Sequence, residues 1–303
     1  MPLDFNLNTG SSSVDLSRLP APTVVEQLSF ETVYAEMLAD VQALMPTFDA
    51  TVESDPAVKI LQVAAYRELL NRQRFNDRAR SIMVAYATGS DLDHLAALLA
   101  VSRLVIQEAD EANGIPEILE SDDALRQRIV LAPEAFSVAG PELAYVFHAR
   151  SAHASVLDAS ATSPVPGEVL VTVLAREGDG TASPEVLAAV EAVVNGRPVR
   201  PLTDLVTVQS VEVVPFTIEA QLFTYRGPDA SLIVDTAIAK LNAHLAASRL
   251  IGRDFTFSAL NAALHVEGVQ RVQLVTPTET LTISPTQVAY CTSVDVTFGG
   301  YDN

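Results

Sequence analysis

Lysine is almost missing from this chain. Of 19 basic residues, set against 38 acids, Lys59 and Lys240 are the two lysines, and the formal charge is -19. Nucleic acid and anionic membranes are bound through clustered cations that displace counterions, so this balance argues against both and leaves other proteins as partners. The arginine excess has two readings: the base composition of the gene, or a preference for a planar, bidentate cation that tolerates partial burial at interfaces. Cysteine is reduced to Cys291, which closes no internal disulfide and builds no multi-thiolate metal site. A cytosol-made chain with a buried structural thiol is expected. His94, His148, His153, His244 and His265 include no pair four residues apart, and HExxH, CxxC, GxSxG and Walker A patterns are absent. No catalytic residue, metal or cofactor is therefore expected. The first 22 residues have no basic region followed by an apolar one, and no uninterrupted apolar run approaches the ~18 residues that suggest a membrane span. Neither a signal peptide nor an inserted segment is expected.

What the chain does have is apolar side chains. They make up 49% of 303 residues with 19% charged, and the mean hydropathy is +0.24. The length suits two or three domains, and more apolar surface is present than one monomer need bury.

After an extended arm expected over residues 1–22, rich in Ser and Pro, Phe30, Val33, Tyr34, Met37, Leu38, Val41, Leu44 and Met45 fall on one helical stripe. Ser29 is placed as its N-cap, Leu28 and Val33 as a hydrophobic staple, and Pro46 as its stop. Asp55 and Pro56 announce a second helix, with no Gly or Pro from Ala57 to Thr88. Leu61, Leu69, Phe75, Ile82 and Tyr86 keep its period, which breaks at Arg72. Gly89 supplies a left-handed C-cap, and Ser90 with Asp93 opens a helix over Asp91–Ala100. Arg67, Asn71, Arg74 and Arg78 form a polar stripe down the long helix, which reads either as a solvated face or as a register-setting stripe meeting acidic partners in a multi-chain bundle. The acidic pairs Asp122–Asp123 and Asp91/Asp93 sit in first turns, where the helix dipole accounts for them.

Helical pattern continues from Asp122 to about Glu134 and from Pro141 to about Arg150. It gives way to strands over Glu168–Ala175, Leu205–Val214, Phe216–Tyr225, Val269–Thr276 and Gln287–Phe298, with helices over Pro184–Asn195, Ala230–Ala247 and Ser258–His265. The fold class is α+β: a helical amino-terminal half with long bundle-forming helices, then α+β carboxy-terminal domains. The expected divisions are 1–22, an arm; 23–105, a bundle region; 106–160, a helical middle domain; and 161–303, the α+β domains. One loop tempts an enzymatic reading. EGDGTAS, Glu177–Ser183, lies between a strand and a helix as a dinucleotide-binding turn does, yet it places two acids where a phosphate would sit and has Ser183 at the third glycine position. Ser183 as N-cap before Pro184 explains the same letters.

Five segments carry a resemblance: DLSRLPAPTVVEQLSFE (15–31), LQVAAYRELLNRQRFNDRARSIMVAYATGSDLDHLA (61–96), SVAGPELAYVFHARSA (137–152), REGDGTASPEVL (176–187) and GRDFTFSALNAALHVEGVQRVQL (252–274). In this order they resemble the baseplate J family of contractile phage tails and related tailocins; the acidic stretch from Gln107 to Glu120 departs from it. The resemblance implies a wedge of two copies of this chain and one smaller baseplate I protein, joined through a shared bundle of amino-terminal helices. It implies further that the bundle is gripped near a lysozyme-like W protein that initiates the sheath. The carboxy-terminal domains would pair between neighbours and close a ring around the spike hub, then pass on the change that triggers contraction, without catalysis. Assembly would occur in the host bacterial cytoplasm, ending in a virion or tailocin baseplate. On the residues, Leu28, Val33, Tyr34, Met37, Leu38 and Val41 with Leu61, Leu69, Phe75, Ile82 and Tyr86 are the expected bundle contacts. An intramolecular hairpin of the two long helices would bury the same stripes. The competing functions are a nucleotide-dependent enzyme using Glu177–Ser183 and a stand-alone receptor-binding module.

Overall fold

A computed structural model describes Leu16, Pro22, residues 24–50, Val52, and residues 54–302 except Val138 and Pro228. The arm expected over residues 1–22 lies, but for Leu16 and Pro22, outside the described residues. The chain divides into two compact units, one built mainly from Val14–Ser102 and Ser121–Gln127, the other from Arg103–Glu120 and Arg128–Asn303.

In the first unit, α1 (Phe30–Leu44) begins where Ser29 accepts a hydrogen bond from the Thr32 amide. Asp55 likewise accepts from the Ala57 amide to open α2 (Pro56–Ser81), with Pro56 at the first helical turn. The long helix is shorter than its pattern suggests, because α2 ends at Ser81 and residues 82–86 are turns and a bend. Its period is unbroken there, and the reason for the stop is distant in sequence: the buried Arg126 guanidinium donates to the Val84 carbonyl at 2.8 Å and the Ala87 carbonyl at 2.7 Å. Those carbonyls gain a charged donor that a continuing helix could not offer them.

The third helix also shifts. α3 covers Gly89–Ala97, with Thr88 as an N-cap that makes no side-chain hydrogen bond; the Gly89 amide is met by the Asp122 carboxylate instead, at 3.1 Å. Gly89 does take the left-handed conformation, at φ +53°. The expected extension to Ala100 fails because Ala100 itself turns left-handed, at φ +56°. Val101 N–H then donates to the Ala96 carbonyl and Ala100 N–H to the Ala97 carbonyl, the two bonds of a Schellman ending. The first turns of α4 (Asp122–Leu131) complete this unit.

The second unit starts with a small antiparallel hairpin of β1 (Val105–Gln107) and β2 (Ile118–Leu119). After a 3-10 turn over Ala132–Phe136 and α5 (Glu142–Ala152) come two α+β layers. In the first, β3 (Val156–Thr162), β4 (Glu168–Ala175) and β5 (Leu205–Ser210) form a sheet in that order. β3 and β4 pair antiparallel, β4 and β5 parallel, and α6 (Pro184–Val194) makes the crossover. α5 and α6 cover it through Tyr145, Ala149, Val186, Val190 and Val194, packed on Val171 and Val173. The division expected at 160/161 falls inside β3, whose register with β4 ties both sides of it into one sheet.

In the second layer β6 (Glu212–Thr224) is central, antiparallel to β7 (Val269–Thr276) and parallel to β8 (Gln287–Tyr301). α7 (Ala230–Ser248) and α8 (Phe257–Leu264) cover it, with Ile233, Leu241, Leu260 and Leu264 against Ile218 and Leu222. The strand expected over Leu205–Val214 is two strands. The chain leaves one sheet and enters the other at Val211, which is buried with Leu174 and Val288 in a third, smaller core.

Candidate assembly surface

α1 and α2 form an antiparallel-type hairpin of packed helices whose shared core is small. Its fully buried apolar residues are Val33, Val58 and Ala65, with Ala79 nearly so. Large side chains are not what locks it. Asn76, 3% exposed, donates from Nδ2 to the Glu26 carbonyl at 2.9 Å and accepts from the Glu26 amide at 3.1 Å, a two-point hook onto the segment ahead of α1. Arg72, where the apolar period broke, faces three carboxylates: Glu68 at 3.0 Å, Glu36 at 3.5 Å and Glu26 at 3.9 Å. The hydrogen bond to Glu68 raises its pKa further above the ordinary value.

The residues expected to contact partners split between the inside and the outside of this hairpin. Val33 is buried, and Leu28, Tyr34, Met37, Leu38, Val41, Leu61 and Leu69 are half-buried. Tyr34 stacks on Phe30 with ring centroids 6.0 Å apart. Phe75, Ile82 and Tyr86 are exposed, Ile82 at 70%. Arg67, Asn71, Arg74 and Arg78 are all exposed, and among the described residues none of the three arginines is held in an ion pair.

A further set escaped the stripe reading. Ile60, Val63 and Tyr66 of α2 are exposed, and Leu70 is half-buried. The signal was present, since positions 60, 63, 66 and 70 recur every three or four residues, beside Arg67 and Arg74 of the polar stripe. With Leu44 and Met45 at the end of α1 and Leu98 after α3, the helical unit leaves much of its large apolar surface uncovered.

The Glu177–Ser183 loop is a structural turn in which the Gly180, Thr181 and Ala182 amides are already engaged. The Gly180 amide donates to the Glu177 carbonyl, Thr181 to the Asp179 carboxylate, Ala182 to Ser210 Oγ, and Val186 to Ser183 Oγ. Arg249 grips the loop from outside, donating to the Arg176 carbonyl at 3.1 Å and the Gly178 carbonyl at 2.8 Å. Gly180 is needed there: at φ +106° a Cβ would collide with Leu174 Cδ1. A phosphate seated on the Gly180, Thr181 and Ala182 amides would have to displace their bonds. Cys291 is half-buried, donates to the Ser293 carbonyl, and has its pKa raised by desolvation. Among the described residues no cluster of three or more His, Cys, Asp or Glu could hold a metal ion, and no helix is long and apolar enough to cross a membrane.

Comparison with known proteins accounts for nearly the whole chain. The Baseplate J-like N-terminal domain matches residues 53–110, the Baseplate J-like central domain residues 137–210, and the Baseplate J-like protein C-terminal domain residues 216–297. Baseplate protein J of Escherichia phage P2 is 45% identical over 298 residues, spanning 95% of this chain and 99% of that protein. A chain in a cryo-EM structure of the anti-feeding prophage baseplate aligns with 59% of this chain and 42% of its own length, at 16% identity and a TM-score of 0.39. That last likeness is too weak to carry any argument.

Proposed function

The chain belongs to the Baseplate J-like family, as a structural baseplate protein, and we propose that it is the wedge subunit of a contractile phage tail or phage-tail-like bacteriocin. Two copies join one smaller baseplate I-like protein through the helical unit. The bundle abuts a lysozyme-like, W-type sheath initiator, and the α+β carboxy-terminal domains close the ring around the spike hub and relay the trigger for contraction. The chain is made in the host cytoplasm and performs no chemistry.

One observation supports this above the others: the α1–α2 hairpin is held by Asn76 and Arg72 while Phe75, Ile82, Ile60 and Val63 stay exposed. Such a surface gains about 25 cal/mol per Å² when a partner removes it from water. The intramolecular hairpin is real, and it does not consume the apolar surface. The bundle is therefore read as forming on the outside of the hairpin, with Phe75, Ile82 and Tyr86 as its contacts and Leu61 and Leu69 as the supporting layer beneath.

Deleting the gene, inducing particles and imaging the lysate by negative-stain electron microscopy tests the reading. Contractile tails should vanish and return on complementation with the intact chain. Normal, contracting tails in the deletion strain would sink the proposal.

A further inference from the structure

The stretch that departs from the resemblance has a shape of its own. Residues 105–119 form the β1–β2 hairpin, and a lone two-stranded hairpin is marginal in water. This one exposes Val105, Ile106, Ile115, Ile118 and Leu119, each between 38 and 46% accessible. Successive strand residues face opposite sides, so partly exposed apolar groups lie on both faces. No Lys or Arg occurs from 105 to 119, and Glu108, Glu111 and Glu117 are exposed.

The base of the hairpin, by contrast, is fixed. Glu120 is 3% exposed, and its Oε2 accepts from the Leu104 amide at 3.2 Å and from Arg128 at 2.6 Å. Its own amide donates to the Leu104 carbonyl at 2.8 Å. The tip is shaped by Asp110, which accepts from the Ala112 and Asn113 amides and from Asn113 Nδ2. An apolar, acidic peg is thus held out from an anchored root, and the surface that receives it must be apolar and basic.

The chain carries such a surface. Residues 57–87 hold Lys59 and five arginines against Glu68 and Asp77, inside a chain of net charge -19. On α2, Val63, Tyr66, Leu70, Arg67 and Arg74 fall within a sector of about 100°, roughly 130° around the axis from Phe75 at 100° per residue. Arg67 and Arg74 stand about 10 Å apart along the helix at 1.5 Å per residue, close to the roughly 10 Å length of a three-residue strand at 3.4 Å per residue.

We propose that the β1–β2 hairpin of one copy docks on the Val63–Tyr66–Leu70 flank of α2 in a second copy, with Glu108, Glu111 and Glu117 facing Arg67 and Arg74. This rests on the proposed assembly of two copies and names the surface through which they touch, on a different flank from Phe75. The contact is heterologous, peg into flank, so each copy keeps one unmatched peg or flank for the next neighbour.

Disulfide trapping in purified particles tests the contact. Leu70→Cys and Ile118→Cys are placed on differently tagged, coexpressed copies, both in a Cys291→Ser background. A doubly tagged disulfide dimer that needs both cysteines is the expected result. If the tags co-purify and no such dimer forms, this docking fails while the two-copy reading stands; if the tags never co-purify, both fail. Charge reversal provides an arm independent of the cysteines. Arg67→Glu with Arg74→Glu should cut particle yield several-fold, and adding Glu108→Arg with Glu117→Arg should restore it. Absence of that restoration overturns the docking.

Discussion

The two units of this protein bury their apolar residues to different ends. The second unit has two layers in which Tyr145, Leu174, Ile218, Leu222, Leu241, Leu260 and Leu264 are fully enclosed. The first gathers mostly small residues inside, Val33, Val58, Ala65, Ala87 and Ala96 with Leu92, and leaves Ile60, Val63, Tyr66, Phe75 and Ile82 outside. The polar locks differ likewise. The second unit has one fully buried ion pair, Glu120–Arg128 at 2.6 Å, whereas Arg72 in the first meets its three carboxylates near the surface. The second unit holds two enclosed cores of large side chains, whereas the first encloses few large side chains beyond Leu92 and Leu125.

This contrast breaks most readily where a buried charge would lose its partner. Glu120→Ala removes the carboxylate that faces the buried Arg128 guanidinium, 5% exposed, and leaves Ser151 Oγ against its Nε, at a cost of about 3 kcal/mol; urea unfolding of the full chain should show the loss in the second unit's transition. Leu241→Ala, at a fully enclosed position of the β6 layer, is expected to cost about 2–5 kcal/mol in the same transition. An effect below about 1 kcal/mol in either case would mean that the second unit is not enclosed at that position. Asn76→Ala removes two hydrogen bonds to the Glu26 main chain in the first unit and should cost about 1–3 kcal/mol. Hydrogen exchange at the amides of α1, rising while those of β6 stay protected, would locate that loss.

The sequence spelled out elements closed by local signals and lost those decided at a distance. Ser29, Asp55 and Ser183 cap α1, α2 and α6 as their letters suggest, and β4 and β7 begin and end where the alternation does. β3 went unread because VLDASAT buries small and polar side chains, with Ala159 and Ala161 enclosed by packing rather than by their own hydropathy. The overrun of α2 has the same origin, since Arg126 lies 42 residues from the carbonyl it captures at Val84. At the candidate surface Phe75 and Ile82 are exposed as partner contacts should be, whereas Leu61 and Leu69 are partly spent within the chain. One apolar stripe gives no sign of which side meets the chain's own helix, and it was the seam through Val63 and Leu70 that lay open.

Substitutions outside the hairpin separate folding from assembly. Ile82 is 70% exposed, so Ile82→Asp should leave the unfolding curve within about 0.5 kcal/mol of the parent. Co-purification with a smaller baseplate partner should nonetheless fail, because a charge entering an apolar contact goes unpaired. Leu69→Asp, at a half-buried position of α2, should lose both. If Ile82→Asp assembles normally, the bundle lies on another flank of α2.

The smallest effect sharpens the comparison through pH. His148 on α5 in the second unit has its pKa lowered by desolvation alone, beside the Phe147 ring at 5.4 Å. Its folded pKa lies below its unfolded one, so this contribution is complete above about pH 6.5 and is lost as pH falls from there through the folded value. Asp158, also in the second unit, runs the other way. Burial raises its pKa, so its ionisation opposes folding as pH rises above the ordinary carboxylate range. As pH falls below about 6.5 the histidine should pull the second unit's urea midpoint down, with Asp158 acting in the opposite sense. His148→Phe keeps a ring in place and removes the proton site, so the drift should flatten; an unchanged slope would move its origin to another group.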